Sequence, residues 1–137
     1  MFGYPGRTSE YLPAVAIEQI VNELNPAKIE IRDKALKVQD GFMRKDNAIK
    51  IQYASKYAGI ANYWKKWIGE TQGLKKSNAV AIKKKQEVAF QEKVNKAGKQ
   101  AEYGNLLADF DKNYKEIAPY ASSRDYFIEV VLRNTEL

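Results

Sequence analysis

Apolar positions recur with a helical period along almost the whole chain. Pro13 suits the first position of a first helix, where its missing N–H would have no intrahelical partner anyway. Ala14, Ile17, Val21 and Leu24 then fall on one stripe. Asn25-Pro26 is expected to break that helix, with Asn25 capping the next one and Pro26 opening it. On the second helix Ile31, Ala35, Val38 and Phe42 form the apolar stripe, and Gly41 is a weak point costing about 1 kcal/mol against Ala. Asp46 is the predicted N-cap of a third, long helix reaching to roughly Thr71. Its bulky stripe is Ile49, Tyr53, Ile60, Trp64 and Trp67, and Gly73 ends or bends it. A lysine-rich fourth helix over residues 78–96 has only Ile82, Ala89 and Phe90 as an apolar face. Gly98 and Gly104 frame a link. Tyr103, Leu107, Phe110, Tyr114 and Ile117 make a fifth stripe, stopped by Pro119. Ser122-Ser123-Arg124-Asp125 reads as a capping box before a last helix carrying Phe127, Val130 and Val131. No segment alternates as a strand would. The predicted fold is all-α, an irregular multi-helix bundle with one long central helix.

Composition narrows the chemistry. The chain has 137 residues, 45% of them hydrophobic and 29% charged, which suits one soluble domain with its own core. No apolar run approaches the roughly 18 residues of a membrane span. The first residues lack a signal-peptide profile, so the protein is expected to be cytoplasmic or an internal piece of a longer exported chain. There is no cysteine and no histidine. A Ser-His-Asp triad, a Cys-His dyad and a histidine- or thiolate-ligated metal site are therefore impossible within this chain. No catalytic residue, metal or cofactor is expected in it. Gly3-Tyr4-Pro5-Gly6-Arg7-Thr8 is glycine-rich but lacks the Lys-Ser/Thr of a phosphate loop, and reads as a structural turn. The net charge of +6 comes largely from Lys65-Lys66, Lys75-Lys76 and Lys83-Lys84-Lys85. These lysines are spread over several helices, which favours solvated faces over a single polyanion-binding face.

The third helix carries the candidate chemistry. Five aromatics (Tyr53, Tyr57, Tyr63, Trp64 and Trp67) lie within fifteen residues. Tyr57, Tyr63, Trp64 and Trp67 can serve as core or as a base-stacking platform, and an aromatic stripe at helical spacing is far more often core. Ser55 and Asn62 fall within about 20° of each other around the helix axis. Ala58 and Gly59 lie between them, and Lys66 follows one turn later. This narrow band of small residues on a bulky helix would let another backbone or a ligand approach. Asn62 is a poor mid-helix residue because its amide competes with backbone bonding. Placed among residues expected to be buried, it must either hydrogen-bond between helices or present its carbonyl to a ligand, since an unsatisfied buried amide costs about 1–3 kcal/mol. Asn62 is thus the candidate binding residue, with Ser55, Gly59 and Lys66 as candidate cleft-lining positions.

Two segments together resemble a known family. Gly3-Tyr4-Pro5-Gly6-Arg7-Thr8, followed by Tyr11-Leu12, is similar to the loop that leaves the first catalytic barrel in the dipeptidyl-peptidase 7 and dipeptidyl-peptidase 11 family of bacterial serine peptidases. Tyr53-Ala54-Ser55-Lys56-Tyr57 and Ala61-Asn62-Tyr63-Trp64-Lys65 resemble that family's most recognisable helix. The likeness implies a large exported enzyme with a chymotrypsin-like double barrel, and a helical domain inserted between the barrels to cap the cleft. Residues 1–12 would be the loop leaving the upstream barrel, and residues 13–137 part of the helical cap. The triad would lie outside this piece. The implied partners are a peptide substrate and the remaining catalytic domains of the same chain, with no nucleic acid and no membrane span, and the parent is compatible with a homodimer. The implied location is the periplasm or the surface of a Gram-negative bacterium. The likeness also implies that Asn62 helps to hold the substrate's α-ammonium group. The alternative reading is a stand-alone basic helical module that binds an acidic protein or a nucleic acid.

Overall fold

The computed structural model describes residues 11–133. The candidate loop segment Gly3 to Thr8 lies outside them. Among the described residues every regular element is helical, as the sequence predicts. Helix α1 (Ala14–Gln19) runs through a π-helical segment (Ile20–Leu24) directly into α2 (Asn25–Met43). A three-residue connection leads to the long helix α3 (Asn47–Lys76), followed by α4 (Ala79–Lys96), the short α5 (Gln100–Tyr103) and α6 (Leu106–Tyr126). A second π-helical segment, Phe127–Arg133, extends α6.

The two expected proline breaks do not occur. Asn25 has helical backbone angles and Pro26 sits in the first turn of α2. Proline lacks a donor and crowds the preceding turn, and here the wider π-helical turn before it carries the chain onward without a break. Asn25 is consequently no cap. Its side chain is almost fully buried and donates to Glu70 Oε2 at 3.0 Å and Thr71 Oγ1 at 3.2 Å. Pro119 likewise lies inside α6, so Ser122 to Asp125 are helix interior rather than a capping box.

Other boundaries follow local chemistry. Asp46 is extended and accepts from Ala48 N–H at 2.7 Å, capping α3 as predicted. Gly73 neither ends nor interrupts α3. Asn78 (φ 52°) turns the chain between α3 and α4, and Gly98 (φ 67°) follows the end of α4. Both occupy the left-handed region that Gly and Asn tolerate best.

The α1–α2 run is the element against which the others pack. Glu87 of α4 accepts the N–H of Ala14 at 2.6 Å, satisfying a free donor of the first turn of α1. Gln19 donates to the carbonyl of Tyr114 in α6 at 3.2 Å. α2 and α3 form a helical hairpin, and the second π-helical segment lies back across α2. The buried apolar side chains among the described residues are few: Ala14, Ala16, Val21, Leu36, Ile60, Trp67 and Val94. Much of the expected apolar surface stays open. Val38 and Phe42 are more than half exposed, and with Gln39, Met43, Ile49, Gln52 and Tyr53 they line an open apolar cleft at the tip of the α2–α3 hairpin. Ile82, Phe110 and Ile117 are also exposed.

Candidate functional site

Helix α3 separates two kinds of surface. Its inner face carries Ile60 and Trp67, both buried, and Tyr63 at the edge. A row on α2 faces them at helical spacing: Asn25, Lys28, Arg32 and Leu36. Arg32 is the centre of the contact and only 2% exposed. Its Nε donates to Glu129 Oε2 at 2.6 Å, and its Nη2 to Glu129 Oε1 at 3.2 Å. Its Nη1 reaches the carbonyl of Ile60 at 3.1 Å and that of Gly59 at 3.5 Å. The guanidinium lies 4.8 Å from the Trp67 ring and 5.2 Å from the Tyr63 ring. The rings themselves meet at 5.8 Å in a tilted arrangement. A fork-shaped, weakly hydrated cation suits this place better than a lysine ammonium would. Lys28 extends the row, 3.4 Å from Asp125 Oδ2 and 4.7 Å from the Trp67 ring.

The aromatic stripe is therefore a packing element. Trp67 is buried, Tyr57 and Trp64 are half-buried, and Tyr63 is turned toward Arg32. These rings do not form an open stacking surface.

The outer face of α3 carries the residues singled out from the sequence. Ser55, Ala58, Gly59, Asn62 and Lys66 are all exposed and lie along one strip. About 10 Å of helix separates Ser55 from Asn62. The expectation that Asn62 is buried does not hold, because it lies about 200° around the helix from Ile60. None of the side-chain hydrogen bonds among the described residues involves it, so the interhelical bond that would have accounted for it structurally is absent there. Lys66 leans toward Tyr63, its Nζ 5.9 Å from the ring. Gly59 borders a shallow concavity of about 250 Å³ shared with Arg32, Lys56, Ile60, Tyr63 and Arg133. The structure thus brings Ser55, Gly59, Asn62 and Lys66 onto one face. Among the described residues no cluster of acidic side chains could hold a metal ion.

A Cβ added at Gly59 would meet nothing within 4 Å. Gly59→Ala is expected to stabilise the chain by about 1 kcal/mol, because alanine gives up less backbone freedom in a helix. Thermal unfolding of the purified chain checks this, with a rise in Tm of about 2–5 °C expected. A fall would mean that the strip is already occupied by protein.

Sequence reasoning missed Arg32 and Glu129, which are 97 residues apart. The available signal was the polar row Asn25, Lys28 and Arg32 continuing into Leu36, which is odd for the inward face of a helix.

The peptidase S46 family profile matches residues 1–137. The chain belongs to the peptidase S46 family. It is 76% identical over its whole length to the Asp/Glu-specific dipeptidyl-peptidase of Flavobacterium psychrophilum, and 61% identical to the protein of the same name from Capnocytophaga gingivalis. It is 40% identical, over 98% of its length, to dipeptidyl-peptidase 7 of Porphyromonas gingivalis. The chain spans 19% of the length of each of these relatives. The likeness read from two short segments thus extends over the full chain and includes the lysine-rich part beyond α3, where no distinctive motif stood out. No helix among the described residues is long and apolar enough to cross a membrane.

Proposed function

We propose that this chain is the substrate-capping helical domain of a serine dipeptidyl aminopeptidase, and that its part in the reaction is to hold the free amino end of the peptide. The observation that carries the reading is Asn62: an amide on the exposed face of a long helix, absent from the side-chain hydrogen bonds among the described residues, while the opposite face is fixed by the buried Arg32–Glu129 pair. The family match and the names of the relatives give the reaction class.

The chemistry is a measuring task. An extended dipeptide spans roughly 7 Å. An acceptor for the α-ammonium, fixed at that distance from the nucleophile, admits two residues before the cut bond and rejects longer extensions. The amide oxygen of Asn62 accepts one ammonium hydrogen. Lys56, Lys65 and Lys66 are the charged residues of α3 nearest to Asn62 in sequence, so the neutralising carboxylate is proposed to come from the rest of the parent. With no histidine in the chain, bond cleavage belongs there too. The open apolar positions support docking against the rest of the parent. The names of the two relatives above 60% identity support a preference for Asp or Glu before the cut bond. The net charge of +6 is of the sign that draws acidic peptides toward the cleft. On the same likeness the parent works in the periplasm or at the cell surface.

The test uses the full-length parent and one acidic tetrapeptide in two forms, with a free and with an acetylated amino end. Acetylation removes the charge and its hydrogen bonds, each of which contributes about 1.5–3 kcal/mol. The free form should be cleaved at least about 10–150-fold faster in kcat/KM, and the present chain alone should cleave neither. Equal turnover of both forms would overturn the reading.

A further inference from the structure

We infer that Arg32 and Glu129 are positioning residues for substrate binding, acting through Asn62. This rests on the reading of Asn62 given above. The Nη1 of Arg32 contacts the carbonyls of Gly59 and Ile60 from the inner side of α3. Those two residues and Asn62 belong to the same helical turn, so the guanidinium grips from within the turn that presents Asn62 outward. Tyr63 and Trp67 close the sides of the grip. The clamp is itself anchored: both oxygens of Glu129, on the π-helical segment after α6, are engaged by the Nε and Nη2 of Arg32. Three separate elements, α2, α3 and the end of α6, are thereby held in register at one guanidinium. Bidentate geometry defines orientation as well as distance, whereas the few apolar contacts of this thin core would tolerate a small slide of α3. A ruler for a dipeptide does not tolerate it, since a displacement of about 1 Å at a binding group can cost on the order of 100-fold in rate.

The experiment is a double-mutant cycle on kcat/KM in the full-length peptidase, with a free-amino dipeptidyl substrate. One arm replaces the pair by apolar side chains of similar size (Arg32→Met with Glu129→Leu), a change that buried ion pairs often accept without loss of stability. The other arm is Asn62→Ala. The apolar pair should lower kcat/KM at least about tenfold alone and less than about twofold in the Asn62→Ala background, since residues acting through one another are not additive. Equal losses in both backgrounds, or no loss in either, would overturn the inference while leaving Asn62 as the binding residue. Full turnover by Asn62→Ala itself would overturn both. If the apolar pair does not fold, Glu129→Gln takes its place in the same cycle with the same criteria, because it keeps the shape and one acceptor for Arg32.

Discussion

Asn62→Ala in the full-length peptidase is expected to lower kcat/KM for peptides with a free amino end by about 10–150-fold, the equivalent of one hydrogen bond to a charged group made in the transition state. The same substitution should leave the fold intact. Asn62 is exposed and absent from the internal side-chain hydrogen bonds of the described residues, and alanine is the better helix former by several tenths of a kcal/mol. Tm should therefore hold or rise slightly while turnover falls. That opposition would mark a residue kept for binding at a small cost in stability. The check is steady-state kinetics beside a melting curve on the same preparation. A folded variant with wild-type turnover would remove Asn62 from the reaction.

Glu129→Ala should have the reverse profile, a large loss of stability. It strands the Arg32 guanidinium in a site where the arginine is 2% exposed. Breaking a buried pair from one side costs about 3–5 kcal/mol, because the remaining charge can neither return to water nor find a new partner. For a chain of this size that corresponds to a fall in Tm of about 10–20 °C. Replacing both members, Arg32→Met with Glu129→Leu, should recover most of the loss, since the stranded charge is then gone. Thermal or urea unfolding of the three variants checks the pattern. If Glu129→Ala melts within a few degrees of the natural chain, water reaches Arg32 and the pair is not a lock.

The elements of the fold were legible in the sequence where local chemistry decides them. Asp46 marks the start of α3, and Asn78 and Gly98 mark the turns either side of α4. Continuity through Pro26 and Pro119 was not legible. Proline is a reliable breaker only when nothing compensates for its lost donor, and the π-helical segment that accommodates Pro26 has no sequence signature of its own. The stripe on α3 packs at Ile60 and Trp67, but Ile49 and Tyr53 line an open cleft, and Val38 and Phe42 on α2 stay open. Periodicity shows that a face is apolar, not whether anything covers it. The Asn62 strip could be found because a polar residue among small ones is locally anomalous. Its exposure could not, since the expectation of burial came from neighbours that point the other way around the helix. The Arg32–Glu129 pair was out of reach for a related reason: each residue alone resembles an ordinary surface charge, and only the fold brings them within 2.6 Å.

That pairing across 97 residues also sets an order of events during synthesis. As the ribosome delivers the chain, α1 to α4 emerge with the arginine already in place and its acid still untranslated. Until Glu129 follows, the guanidinium has no carboxylate to meet it between α2 and α3, and its burial there is opposed. The contact of α2 with α3 is thus expected to tighten only once the segment carrying Glu129 has been made, which ties positions 97 residues apart into one closing step.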